Sequence, residues 1–75
     1  MIKINVFQHK ETKRYFSNFT NNDTPETVSK PEYAKAWVKS SQTRMGNLRV
    51  YMKNNLKKLN ELGFELIETE VRELL

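Results

Sequence analysis

Arg49, Lys53 and Lys57 recur at four-residue intervals in the stretch RVYMKNNLKK. On a helix that interval sets cations about 6 Å apart along one face. Such a row can track phosphates or meet an acidic protein surface. A second constellation combines rings with ammonium groups: Phe7 and Trp37 with Lys35 and Lys39. Bases stack on aromatic faces while lysines neutralise phosphates, and tryptophan, tyrosine and arginine are also the side chains that anchor protein interfaces. Arg14 and Tyr15 join the set on the second ground. The candidate residues for binding a partner or a nucleic acid are therefore Phe7, Arg14, Tyr15, Lys35, Trp37, Lys39, Arg49, Lys53 and Lys57.

Catalysis finds little material. His9 is the single histidine, followed by Lys10 and Glu11 in an expected turn. A general base needs a pocket and an orienting group, and a hairpin tip supplies neither. Glu65, Glu68, Glu70 and Glu73 stand apart from other ligand types, and there is no cysteine. Gly46 and Gly63 are isolated, so no phosphate-cradling glycine loop exists. The expectation is a binding protein that is not an enzyme, with no catalytic, cofactor-binding or metal-binding residues and no cofactor.

At 75 residues the chain has room for one domain, 1–75, with one modest core. No apolar run is long enough to cross a bilayer or act as a signal peptide, which together with the missing cysteines points to the cytoplasm and no membrane partner. Net charge is +4 but uneven: residues 1–58 hold twelve Lys or Arg against four acids, a net of +8, and residues 59–75 hold one Arg against five Glu, a net of −4. This asymmetry suits a nucleic acid or an acidic protein partner, and it equally suits the wet faces of any small soluble domain.

The elements that carry these residues follow from periodicity. Ile2, Ile4 and Val6 alternate with Lys3, Asn5 and Phe7, a strand pattern. A second aromatic run over 13–20 predicts a hairpin, with a four- or five-residue loop because no Asn-Gly or Asp-Gly fixes a tighter turn. The segment 21–33 is polar and punctuated by Pro25 and Pro31, and reads as a surface loop with at most one helical turn after Thr24. Alternation resumes over 34–39. The Ser40-Ser41 pair offers an N-cap, and 42–62 is the one long helix, with Met45, Leu48, Met52, Leu56 and Leu59 in a stripe flanked by Tyr51 and Leu62. Gly63 sits where a left-handed cap belongs, while Gly46 is out of place or marks a later helix start. Phe64–Val71 is the last strand. Its apolar parity switches from Phe64 and Leu66 to Ile67 and Val71, implying a bulge, burial of both faces or a frayed end. The expected fold is α+β and two-layered: an antiparallel sheet of about four strands on one long helix, in the order β-β-loop-β-α-β. One helix shields one face of such a sheet. With Ile2, Ile4, Val6 and Val38 under the helix, Phe7, Trp37, Lys3, Lys35, Lys39 and one of Tyr15 or Phe16 would face outward.

The stretches VFQHKETKRYF, AKAWVKSSQTRMGNLRVYM and FELIETEVREL resemble a loose group of small phage and prophage proteins. The shared features are a Lys-Glu-Thr hairpin (here 10–13), a tryptophan strand (Trp37), a Gly-x-Leu-Arg helix start (46–49) and a closing acidic-apolar strand (Phe64–Val71). Lys13 stands where that group often carries glycine. The resemblance implies a viral accessory protein that binds host components, and it assigns no catalytic residues. Three expectations follow. The first is a phage-type accessory protein that inhibits or modulates a host protein through the aromatic and basic sheet face. The second is a single-stranded nucleic-acid binder using the same face with help from Arg49, Lys53 and Lys57. The third is a homodimer whose sheet faces bury each other.

Overall fold

The computed structural model describes residues 1–38 and 42–73, and within the helix the side chains from Asn47 onward. The chain runs β1 (Ile2–His9), β2 (Tyr15–Phe19), β3 (Pro25–Val28), a 3-10 turn (Pro31–Tyr33), β4 (Ala36–Val38), α1 (Gln42–Glu61) and β5 (Phe64–Val71). The fold is α+β, an open five-stranded antiparallel sheet packed with one helix. The segment expected to be a loop contains a further strand, β3. Pro25 opens it, and β3 pairs with β2 alone, so it is an edge strand where a residue without an N–H is tolerated. The Ser40-Ser41 cap and Lys39 lie outside the described residues.

Strand β1 is the spine. Along one edge it pairs with β5 without interruption, from Ile2↔Val71 to His9↔Phe64. Its other edge is shared. β2 pairs at Gln8↔Tyr15, and β4 pairs from Ile4↔Val38 to Val6↔Ala36. The two registers converge opposite Phe7, where Phe16 would follow Tyr15 and Lys35 would precede Ala36. There β2 leaves β1 for β3, and the Lys35 N–H donates to the Phe16 carbonyl at 3.1 Å to join the two halves of the edge. A register shift between Phe16 and Asn18 bulges β2 at Ser17. The bulge adds one residue, so Phe16 and Phe19 reach the same side with centroids 4.8 Å apart.

Both faces of β1 are buried, and the helix covers the face opposite to the one expected. Phe7, Phe16, Trp37 and Phe64 form one core with Leu48 and Leu59 of α1, and Tyr51, Met52 and Leu56 pack against it. From Leu48 to Leu59 the apolar stripe of α1 is therefore as read, but it rests on the aromatic side of the sheet; the expected flank Leu62 is exposed, and the Met45 side chain lies outside the described residues. Phe7 is 0% and Trp37 5% exposed, so neither belongs to an open surface. Ile4 and Val6 lie on the other side with Val71, and Ile2, Tyr15, Ala34, Ala36, Val38 and Ile67 pack around them. The segment 31–34 packs on this side: its 3-10 turn lies against β5 and Ala34 packs on the cluster before the chain enters β4. The parity switch in β5 is burial of both faces, since its register on β1 has no shift.

The helix ends as its sequence predicts. Gly63 has φ +91°, and the Leu62 and Gly63 N–H groups donate to the carbonyls of Lys58 and Asn60 at 3.1 Å each. The cap is locked to the first hairpin, because the Lys10 N–H donates to the Gly63 carbonyl at 2.9 Å. A methyl group on Gly63 would lie 2.8 Å from Nε2 of His9. Gly63→Ala meets both the left-handed backbone and this ring, and is expected to cost about 2 kcal/mol or more, read as a lower midpoint in urea unfolding with an unchanged slope.

Candidate functional site

The helix leaves Arg49, Lys53 and Lys57 exposed on the side turned away from the sheet. Val50 lies among them and is 61% exposed, one of the few large apolar side chains the fold leaves in water. Glu61 is the single acid in α1, and among the described residues no ion pair reaches the three cations. Their neighbour Lys58 is used differently. Its Nζ sits 2.9 Å from Asp23 Oδ1 and 4.2 Å from the Phe19 ring centroid. It thus ties the end of α1 to the β2–β3 loop, in which Asp23 takes a left-handed φ of 60° and the Thr20 hydroxyl accepts the N–H groups of Asn22 and Thr24. Asparagine and aspartate enter that backbone region more readily than most residues. An exposed pair of this kind contributes little stability, so its role is to orient.

The other expected site residues are dispersed. The Trp37 ring meets Phe7 edge-on at 6.0 Å and Tyr51 at 5.0 Å beneath the helix. Neither Phe7 nor Trp37 can stack on a base or anchor a partner from there. Lys35 is half-buried with its Nζ 5.1 Å from the Tyr51 centroid, a cation over a ring at the border of the core. Arg14 is turned onto its own hairpin, donating from Nε to Thr27 Oγ1 at 2.9 Å and from Nη2 to the Thr27 carbonyl at 3.2 Å. Tyr15 packs on the Ile4–Val6 side, and Phe16 is the one of the pair that joins Phe7. Of the eight candidates among the described residues, only Arg49, Lys53 and Lys57 are found together on one accessible surface.

His9 is a structural residue, half-buried at the end of β1 rather than free at a tip. Its Nδ1 accepts the N–H groups of Glu11 and Thr12 at 3.2 and 3.3 Å, which shapes the five-residue connection to β2. Its ring meets Phe64 edge-on at 5.1 Å. The turn closes with Lys13 at φ 62° and its N–H donating to the His9 carbonyl at 3.0 Å. A left-handed lysine explains why glycine suits this position. The requirement for an acceptor at His9 has no signature in spacing, since the donors are backbone groups.

Comparison with protein-family models, with curated proteins and with solved structures returns no match. Among the described residues no group of three His, Cys, Asp or Glu is placed to hold a metal ion, and no helix is long and apolar enough to cross a membrane.

Two measurements check this local picture. Lys13→Gly relieves a left-handed side chain and is expected to raise stability by up to about 1 kcal/mol, seen as a higher melting temperature. Burial pushes the Tyr51 phenol above the ordinary tyrosine value of 10.0, so the fold favours the neutral form. The stability this supplies is complete below pH 10 and is lost as pH rises through the folded value. Melting temperature should fall as pH rises from 10 towards the folded value, and Tyr51→Phe, which keeps the ring, should flatten the decline.

Proposed function

We propose that this chain is a non-catalytic binding protein of the small phage accessory type. It acts in the host cytoplasm on an acidic protein surface through the outer face of α1. The supporting observation is the exposed row of Arg49, Lys53 and Lys57 around Val50. An exposed apolar side chain beside a row of cations suits a protein surface with a shallow apolar contact and an acidic rim. A single-stranded nucleic acid fits less well, because the rings that would stack on bases are in the core. The likeness of the hairpin, tryptophan strand and helix start to phage accessory proteins supports the same class.

The test is capture from bacterial lysate with and without nuclease treatment, followed by titration of the captured protein in purified form. Reversal of all three cations (R49E, K53E, K57E) should weaken binding by at least about tenfold, roughly 1.4 kcal/mol, and wild-type affinity should fall as salt rises. The same partner bound with the same affinity by the triple variant would remove α1 from the interface. Capture that disappears on nuclease treatment would instead support nucleic acid as the target.

A further inference from the structure

We infer that the outer edge of β5 is a strand-addition site for an extended basic segment of a partner protein. β5 pairs with β1 along all eight residues and pairs with no other strand among the described residues. A strand in that position presents a row of backbone donors and acceptors to one side. The remaining edges are poor templates: β3 has four residues and begins with proline, and β4 has three. β5 contains neither proline nor glycine, carries β-branched Ile67, Thr69 and Val71, and holds its register without a bulge. Its backbone is already in the geometry that an added strand needs, so little ordering is required on this side.

Charge decides the occupant. Glu65 and Glu70 project from opposite faces of β5, and Lys3 stands opposite Glu70 in the ladder without closing an ion pair. A second copy laid antiparallel on this edge would set glutamates against glutamates, which is unfavourable at cross-strand distance. A segment with lysine or arginine at alternate positions would meet a carboxylate on whichever face its cations take, Glu65 on one and Glu70 on the other. At the far end of the strand a hollow of about 310 Å³, lined by Met1, Glu32, Glu70, Val71, Arg72 and Glu73, gathers three carboxylates beside the Arg72 guanidinium. Backbone pairing would supply affinity, and Glu65 and Glu70 would select against neutral and acidic strands. This surface differs from the outer face of α1 in place and in sign of charge.

The experiment uses the full chain and a labelled octapeptide of alternating lysine and valine, followed by fluorescence anisotropy and by amide shifts in a 15N spectrum. Binding should be present below about 1 mM at low salt, with shifts concentrated in Phe64–Val71 and its neighbours. Methylation of alternate peptide nitrogens, which keeps every charge and removes the donors, should weaken binding at least tenfold, as should Glu65→Lys with Glu70→Lys. An alternating glutamate and valine octapeptide should not bind. Equal affinity for the methylated peptide, shifts that map away from β5, or no binding up to about 1 mM would each overturn the proposal. The probe is cationic and is read on β5, so its failure leaves the α1 reading standing, and the reverse holds.

Discussion

The rest of the structure depends on the double burial of one strand. Val6 and Phe7 are neighbours in β1, they point to opposite faces, and both are 0% exposed. A strand that is apolar on both sides needs two coverings, and a chain of 75 residues has one long helix to offer. The helix takes the side with rings, where Phe7, Phe16, Trp37 and Phe64 fill the space beneath Leu48, Tyr51, Leu56 and Leu59. On the other side the 3-10 turn lies against β5 and Ala34 packs on the cluster of the smaller side chains Ile4, Val6 and Val71. An extended chain lies closer to a sheet than a helix does, so small and β-branched residues suffice beneath it.

This division explains where accessible chemistry remains. With both faces of β1 covered by the chain itself, the outside of α1 and the edges of the sheet remain as accessible surfaces among the described residues. The charge asymmetry of the sequence then takes a spatial form: cations stand on the outer helix, and carboxylates line β5 at the sheet edge. The joints between elements are polar and local. His9 serves the hairpin and packs beside Gly63, and Lys58 binds the helix end to Asp23 and Phe19. Side chains that alone would suggest chemistry, the single histidine above all, are engaged in holding these joints.

Much of this was legible before any coordinates. The stripe of α1 from Leu48 to Leu59, its glycine cap and the bounds of β5 follow from periodicity and turn chemistry, and each is found in place. The parity of β1 was also readable, with Phe7 and Trp37 on one side and Ile4 and Val6 on the other. Which side receives the helix was not, because alternation reports that two residues differ in direction and says nothing of what lies over them. Three aliphatic residues against one ring in β1 favoured the aliphatic side, whereas the rings contributed by β2, β4 and β5 decide the matter in three dimensions. β3 was hidden by Pro25, which reads as a breaker until its edge position is known. The row of Arg49, Lys53 and Lys57 was readable because helical spacing alone places it.

The most direct test of the account exploits the single tryptophan. With Trp37 sealed between Phe7 and Tyr51 under α1, its emission should be blue-shifted in the native state, shielded from acrylamide, and released to both red shift and full quenching on unfolding in urea. Native emission that already matches the unfolded chain, with equal access to acrylamide, would place the ring in water and contradict the burial on which the architecture rests.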